Sequence, residues 1–66
     1  MFVEFHDLND NVLMVNFGAI LYIAPYEESG SMLYFNGGSI LRVKETVKEI
    51  RLNLMQMAMQ NQIKSH

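Results

Sequence analysis

The sequence predicts an α+β fold: a meander of four or five antiparallel strands, followed by one C-terminal helix. Three observations lead to this prediction. Short apolar runs alternate with turn residues over positions 1–43, a pattern typical of strands. The Asn36-Gly37 pair is the strongest short signal for a β-hairpin, where a type I′ turn would need positive φ at both residues. From residue 46 onward the apolar residues recur with helical spacing.

Five segments of the first two-thirds have strand character. Asp and Asn residues form the turn after the first segment, because they tolerate positive φ and bond their own backbone. Gly18 interrupts the chain as a bend or bulge, and Pro25 marks a strand end or a sheet edge. Several strands are apolar on both faces, so the sheet must curl on itself or meet a partner. The predicted strands are Met1–His6, Val12–Phe17, Ala19–Ala24, Met32–Phe35 and Ser39–Val43.

The helix is predicted over residues 46–63, and it has two apolar stripes. Thr46 can cap it, and Glu49 three residues later completes a capping box. A helix that is apolar on two sides needs two partners. We expect one stripe to pack on the sheet and the other to form a seam between subunits. The first stripe is Val47, Ile50, Leu54, Met57 and Ala58, and the second is Leu52, Met55, Met59 and Ile63.

Size and composition predict one domain over residues 1–66 that is stabilised by association. The chain is 50% hydrophobic and only 18% charged, which is unusually apolar for so small a domain. Small domains usually need disulfides, a metal or oligomerisation, and this chain has no cysteine and two histidines. A homodimer is the expected form, because two-fold symmetry is commonest; a different protein partner is the alternative. Met55, Met57 and Met59 suit an oligomer core, or a pliable groove for varied partners.

Charge and motif content weigh against several classes of function. The net charge is −2 and the pI is about 5.5, which disfavours a general affinity for nucleic acid or anionic membranes. No apolar stretch approaches the roughly 18 residues of a membrane span. The N-terminus lacks the features of a secretory signal, so we expect a cytoplasmic protein. No nucleophile has a base beside it in the sequence, and we expect neither enzymatic activity nor a cofactor.

Two motifs invite a metal-binding interpretation and fail on spacing. Asp7, Asn9 and Asn11 match the first three ligands of a calcium loop. That loop needs Gly at its sixth position and Glu at its twelfth, where this chain has Val12 and Gly18. The segment is therefore predicted to be a turn. The neighbouring His6-Asp7 pair has no converging ligands and is interpreted as a polar strand end.

One basic segment supports an alternative function, a nucleic-acid-binding regulator. Its cationic residues could contact a phosphate backbone, although Glu45 and Glu49 lie among them and reduce the local excess to +2. Such charges are more often a solvated helix flank. The candidate contact residues are Arg42, Lys44, Lys48 and Arg51.

The order of these signals resembles that of the small flagellar FlbD/SwrD-like proteins of bacteria, from about Phe5 to Ile50. The similar pieces are Leu8-Asn9, Val15-Asn16, Ile20–Ile23, Met32–Phe35, Asn36-Gly37 and Val43–Thr46. Asp10 stands where that family usually has glycine, and the Met-rich helix beyond Leu52 also differs. The run is similar to part of LytTR-type DNA-binding domains as well. The flagellar resemblance implies an α+β fold and a role in motor function through protein contacts, without catalytic residues.

Taken with the composition, these patterns predict a small, non-catalytic interaction or structural protein. We expect it to assemble through its C-terminal helix and an apolar sheet face.

Overall fold

The chain folds as five antiparallel strands followed by one helix in the computed structural model, which confirms the predicted α+β class. The structure describes the backbone of residues 1–64 and the side chains of residues 1–60. Every strand pair in this part of the chain is antiparallel. The elements are β1 (Phe2–His6), β2 (Val12–Asn16), β3 (Ile20–Pro25), β4 (Ser31–Phe35), β5 (Ile40–Val43) and α1 (Val47–Lys64).

The meander is divided into two sheets, one of β1 and β2 and one of β3, β4 and β5. The division lies at a single 3₁₀ turn, Phe17–Ala19, between β2 and β3. The Asn16 side chain stabilises this turn, because its Oδ1 accepts a hydrogen bond from the Gly18 N–H at 3.1 Å. The predicted interruption at Gly18 is confirmed. Its consequence is that β2 and β3 do not pair, although they are adjacent in sequence.

The turn between β4 and β5 differs from the predicted type I′ turn at Asn36-Gly37. Positive φ falls on Gly37 (89°) and Gly38 (95°), and Asn36 does not adopt it. The Phe35 N–H donates to the Ser39 carbonyl at 2.9 Å, so the loop contains three residues. The turn is still centred on Asn36 and Gly37, because the Gly38 N–H donates to the Phe35 carbonyl at 3.2 Å, but the predicted type I′ conformation was wrong. Two consecutive glycines take positive φ without a Cβ penalty, whereas Asn36 would incur one.

The core lies between the inner faces of the two sheets and the first turns of α1. Val3, Phe5 and Val15 enter it from the first sheet, and Leu33 and Val43 from the second. Ile50 is the helix residue at its centre, with 3% of its surface exposed. Each sheet therefore covers the inner face of the other, and the first turns of α1 pack against the same core.

The start of α1 has the predicted capping box. The Glu49 N–H donates to Thr46 Oγ1 at 3.1 Å, and the Thr46 N–H donates to Glu49 Oε1 at 2.9 Å. These two bonds satisfy backbone donors that the first helical turn leaves without partners. The box fixes where the helix leaves the sheet.

The start of β4 presses closely on the connection between β5 and α1. Gly30 has a φ of 83°, and a Cβ built on it would lie 2.6 Å from the Val43 carbonyl oxygen. The next residue, Ser31, is fully buried, and its Oγ donates to the Glu45 carbonyl at 2.7 Å. This contact positions residues 43–46, which also reach the far end of β1.

Candidate functional site

The second apolar stripe of α1 faces solvent, which makes it the leading candidate for a functional surface. Leu52 is 49% exposed, Met55 55% and Met59 60%. Their spacing of three and then four residues keeps them on one side of the helix. The side chain of Ile63, predicted to extend this stripe, lies outside the described residues. The three described members thus form a continuous apolar strip that the other described residues leave uncovered.

The first stripe of α1 packs on the body of the protein mainly through its N-terminal part. Ile50 is buried, and Leu54 and Met57 are partly buried against the core. Val47 is half-buried, whereas Ala58 is exposed although we expected it on this stripe. Ala58 lies about 100° around the helix from Met57, at the margin of this stripe. Contact with the core therefore weakens along the helix.

The segment of α1 that carries the exposed strip has no charged residues. Residues 52–63 form a run of twelve without a single Asp, Glu, Lys or Arg. A helix that borders water usually carries charged residues on its outer face. The polar side chains of this run are all amides, among them Asn53, Gln56 and Gln60. The segment combines exposed apolar surface with a lack of like charges that would repel an identical helix.

The outer faces of both sheets carry exposed apolar side chains as well, as the sequence predicted. Phe2, Val12 and Met14 are each more than half exposed on the outer face of the first sheet. On the second sheet the rings of Tyr22 and Tyr34 stack with their centroids 4.4 Å apart. A stack of this kind shields part of each ring, although Tyr22 remains 57% exposed.

A second candidate site is a polar cluster centred on His6, at the end of β1. His6 Nδ1 lies 2.5 Å from Glu45 Oε2, and the His6 N–H donates to Glu45 Oε1 at 3.0 Å. The Lys44 N–H donates to the His6 carbonyl at 2.8 Å. Glu4 approaches the other ring nitrogen, with Oε2 at 3.7 Å from Nε2. These bonds fasten the first sheet to the segment that joins β5 to α1.

The His6–Glu45 pair shifts the pKa of both groups toward the charged forms. The hydrogen bond that His6 donates to the Glu45 carboxylate raises the pKa of His6 above its usual 6.5, against a smaller opposing effect of burial. Partial burial by itself would raise the pKa of Glu45, but the hydrogen bonds from the His6 side chain and backbone outweigh it. The pKa of Glu45 is therefore lowered from 4.5. Each charged form therefore stabilises the other across this hydrogen bond.

An open polar cleft of about 240 Å³ adjoins this pair. Its walls are His6, Asp10, Lys44, Glu45 and Glu49. Most of these groups already have partners: Lys44 Nζ lies 3.1 Å from Asp10 Oδ1, and Glu49 bonds the Thr46 N–H. Among the described residues no three His, Cys, Asp or Glu side chains are arranged to hold a metal ion. The side chains that line the cleft are thus mostly bonded to other groups of the same chain.

Sequence reasoning missed Glu45 as the partner of His6. The two residues are 39 positions apart, and only the packing of the two sheets brings them together. The prediction that Asp7 belongs to a turn is confirmed instead. Asp7 Oδ1 accepts from the Asn9 and Asn11 N–H groups, each at 2.9 Å, and the bonds from Asn11 chiefly lower its pKa.

The four basic residues of the alternative nucleic-acid surface do not share one environment. The guanidinium of Arg42 stacks on the Tyr26 ring, with Cζ 3.9 Å from the centroid. Lys44 pairs with Asp10 on the side of the cleft. Lys48 and Arg51 are exposed on α1. Two of the four are therefore engaged within the chain, and nucleic-acid contact stays a prediction.

Comparison with known proteins gave no match: no family model, curated protein or solved structure is similar to this chain. The resemblance to FlbD/SwrD-like proteins therefore remains a prediction. In the part of the chain that the structure describes, no helix has both the length and the apolar character required to cross a membrane.

Proposed function

We propose that this chain is a small, non-catalytic interaction protein that assembles with a second copy of itself through the C-terminal helix. The single observation that supports this most is the exposed strip of Leu52, Met55 and Met59 on a helix whose other side already packs on the core. Large apolar side chains in a row gain free energy when another surface removes them from water.

A second copy suits this strip better than a charged partner does. The strip lies in the uncharged run 52–63, so two identical helices meet without like-charge repulsion. An acidic or basic partner would find no complementary charge along it. The spacing of three and four residues also matches the seam of paired helices, in which side chains of one helix fill gaps of the other.

Other properties fit a role in assembly. The side chains that line the described cleft are mostly paired with other groups, which supports a non-catalytic protein. Interaction without catalysis also agrees with the predicted flagellar-type resemblance. The cytoplasmic location expected from the sequence stays a prediction.

Sedimentation velocity over a range of micromolar concentrations tests the proposal. Wild-type protein should sediment as a dimer or larger species. Met55→Glu combined with Met59→Glu should shift it to monomer, because each charge would be buried at the seam. The matched control is Asn53→Glu combined with Gln60→Glu, which adds the same charge to the same helix beside the strip. A wild-type monomer throughout this range, or equal dissociation by both pairs, would overturn the proposal.

A further inference from the structure

The alternation of hydrogen-bonded residue pairs in the first sheet shows which backbone groups of β2 point away from β1. The Phe17 N–H donates to the Met1 carbonyl at 2.8 Å, and the Asp7 N–H donates to the Asn11 carbonyl at 3.0 Å. The register pairs Val3 with Val15 between them. Bonded pairs recur at every second residue of an antiparallel ladder. The odd-numbered residues of β2 therefore bond β1, and the N–H and C=O groups of Val12, Met14 and Asn16 point outward.

These outward groups form an open strand edge. β2 pairs with β1 alone among the described strands. Val12 is 57% exposed and Met14 60%, so the edge borders solvent. An unpaired edge is a template for another strand, and proteins usually protect it with charge, proline or a bulge. The sequence of β2, VLMVN, contains none of these protective residues.

The other described edges carry the protection that β2 lacks. β1 has Glu4 at its centre, and its end is bonded by Lys44. β3 contains Pro25 and an irregular register near Tyr22. β5 has Arg42 among its four residues. The contrast singles out β2.

We propose that the free edge of β2 pairs with β2 of a second copy, which makes one four-stranded sheet in the order β1-β2-β2-β1. In an antiparallel pair centred on Met14, the outward N–H and C=O groups of the two β2 strands would face each other. Met14 would bond Met14 of the partner subunit, and Val12 would bond Asn16 of the partner subunit, with two hydrogen bonds in each pair. No charged side chain lies on either strand at this seam.

Two physical needs favour this occupant. A two-stranded sheet is marginal by itself, and four strands with a shared apolar face are more stable. The helix strip offers only three half-exposed side chains per copy, on the order of 200 Å², whereas stable interfaces bury about 800 Å² per partner. Pairing at β2 is a second contact, built on residues different from those of the helix seam.

Residue-resolved amide hydrogen exchange of the full chain, followed by NMR at low and high concentration, tests the pairing. The Leu13 and Val15 N–H groups bond β1 and should be protected at both concentrations. The Val12 and Met14 N–H groups should exchange quickly in the dilute sample, and about tenfold more slowly when β2 is paired in nine-tenths of the molecules. Rapid exchange of both amides in a sample that sediments as an oligomer would overturn the inference and leave the helix seam standing.

Variants separate the edge from the sheet face. Met14→Lys should abolish the concentration-dependent protection of Val12, because the lysines at position 14 of the two copies would face each other at the seam and repel. Phe2→Lys is the matched control: it places the same charge on the same outer face but on β1, and it should leave that protection intact. Loss of protection in both variants would contradict edge pairing. The Met55→Glu, Met59→Glu double variant, a monomer at micromolar concentration, should keep the Val12 protection at the high NMR concentration, where β2 pairing alone still joins two copies. Loss of the protection there would overturn the independence of the two contacts.

Discussion

Gly30 offers the sharpest test of the described packing, because Gly37 provides a control with nearly the same φ angle. Their φ angles are 83° and 89°, so an alanine at either position adopts a conformation that L residues avoid. The surroundings differ. A Cβ at Gly30 would lie 2.6 Å from the Val43 carbonyl oxygen, whereas a Cβ at Gly37 would have nothing within 4 Å. The difference between the two alanine variants therefore isolates the close contact.

The expected magnitudes follow from these distances. Positive φ alone should cost each alanine variant about 1 to 2 kcal/mol of unfolding free energy. At Gly30 the backbone of β5 must also move, because the atom in the way is a carbonyl oxygen and not a flexible side chain. Overpacking of this kind adds about 1 to 3 kcal/mol. Since a domain of this size rarely exceeds about 3 to 5 kcal/mol, Gly30→Ala should be largely unfolded and Gly37→Ala folded.

Urea unfolding followed by circular dichroism, at one fixed protein concentration, measures both variants. The concentration must be fixed because association adds to apparent stability. Gly37→Ala should lower the midpoint with an unchanged slope. Gly30→Ala should show little or no folded baseline. Equal midpoints for the two variants would refute the close approach of Gly30 to Val43.

Two further predictions concern the segment that joins β5 to α1. Because the pKa of His6 is raised, the stability that His6 contributes is complete below pH 6.5 and is lost as the pH rises through the folded-state pKa. Because the pKa of Glu45 is lowered, the stability that Glu45 contributes is present above pH 4.5 and is lost as the pH falls through the folded-state pKa. Thermal melts should thus show highest stability between these limits, and Glu45→Gln should flatten the profile; an unchanged profile in that variant would contradict the assignment. Ser31→Ala removes the donor to the Glu45 carbonyl and should cost about 1 to 2 kcal/mol in urea unfolding, while the exposed control Ser29→Ala should stay within about 0.5 kcal/mol of wild type. Equal losses from the two serine variants would show that the buried hydrogen bond contributes nothing.

Local signals predicted most of the secondary structure. The capping box at Thr46 and Glu49 uses groups three residues apart, so its geometry follows once the helix forms. The turn at Asp7 closes on its own neighbours in the same way. The two-stripe pattern of the helix also predicted which side chains pack and which stay exposed, apart from Ala58. Each of these depends on residues close together in the chain.

Contacts between distant residues were beyond such reasoning. Nothing near His6 in the sequence points to Glu45, and nothing near Gly30 points to Val43. The type of the hairpin turn was wrong because the loop has three residues and places positive φ on Gly37 and Gly38, whereas a two-residue type I′ loop would need it on Asn36 and Gly37.

The α+β class, the helix start and the excess of apolar surface follow from the amino-acid sequence, because periodicity and local hydrogen bonding are properties of neighbouring residues. The division of the meander into two sheets, the bond between His6 and Glu45 and the open edge of β2 became visible only in the folded chain. These outcomes depend on how far the chain turns at Gly18 and on which strand lies beside which. Side-chain patterns do not encode that choice, since it is made by the packing of all elements at once.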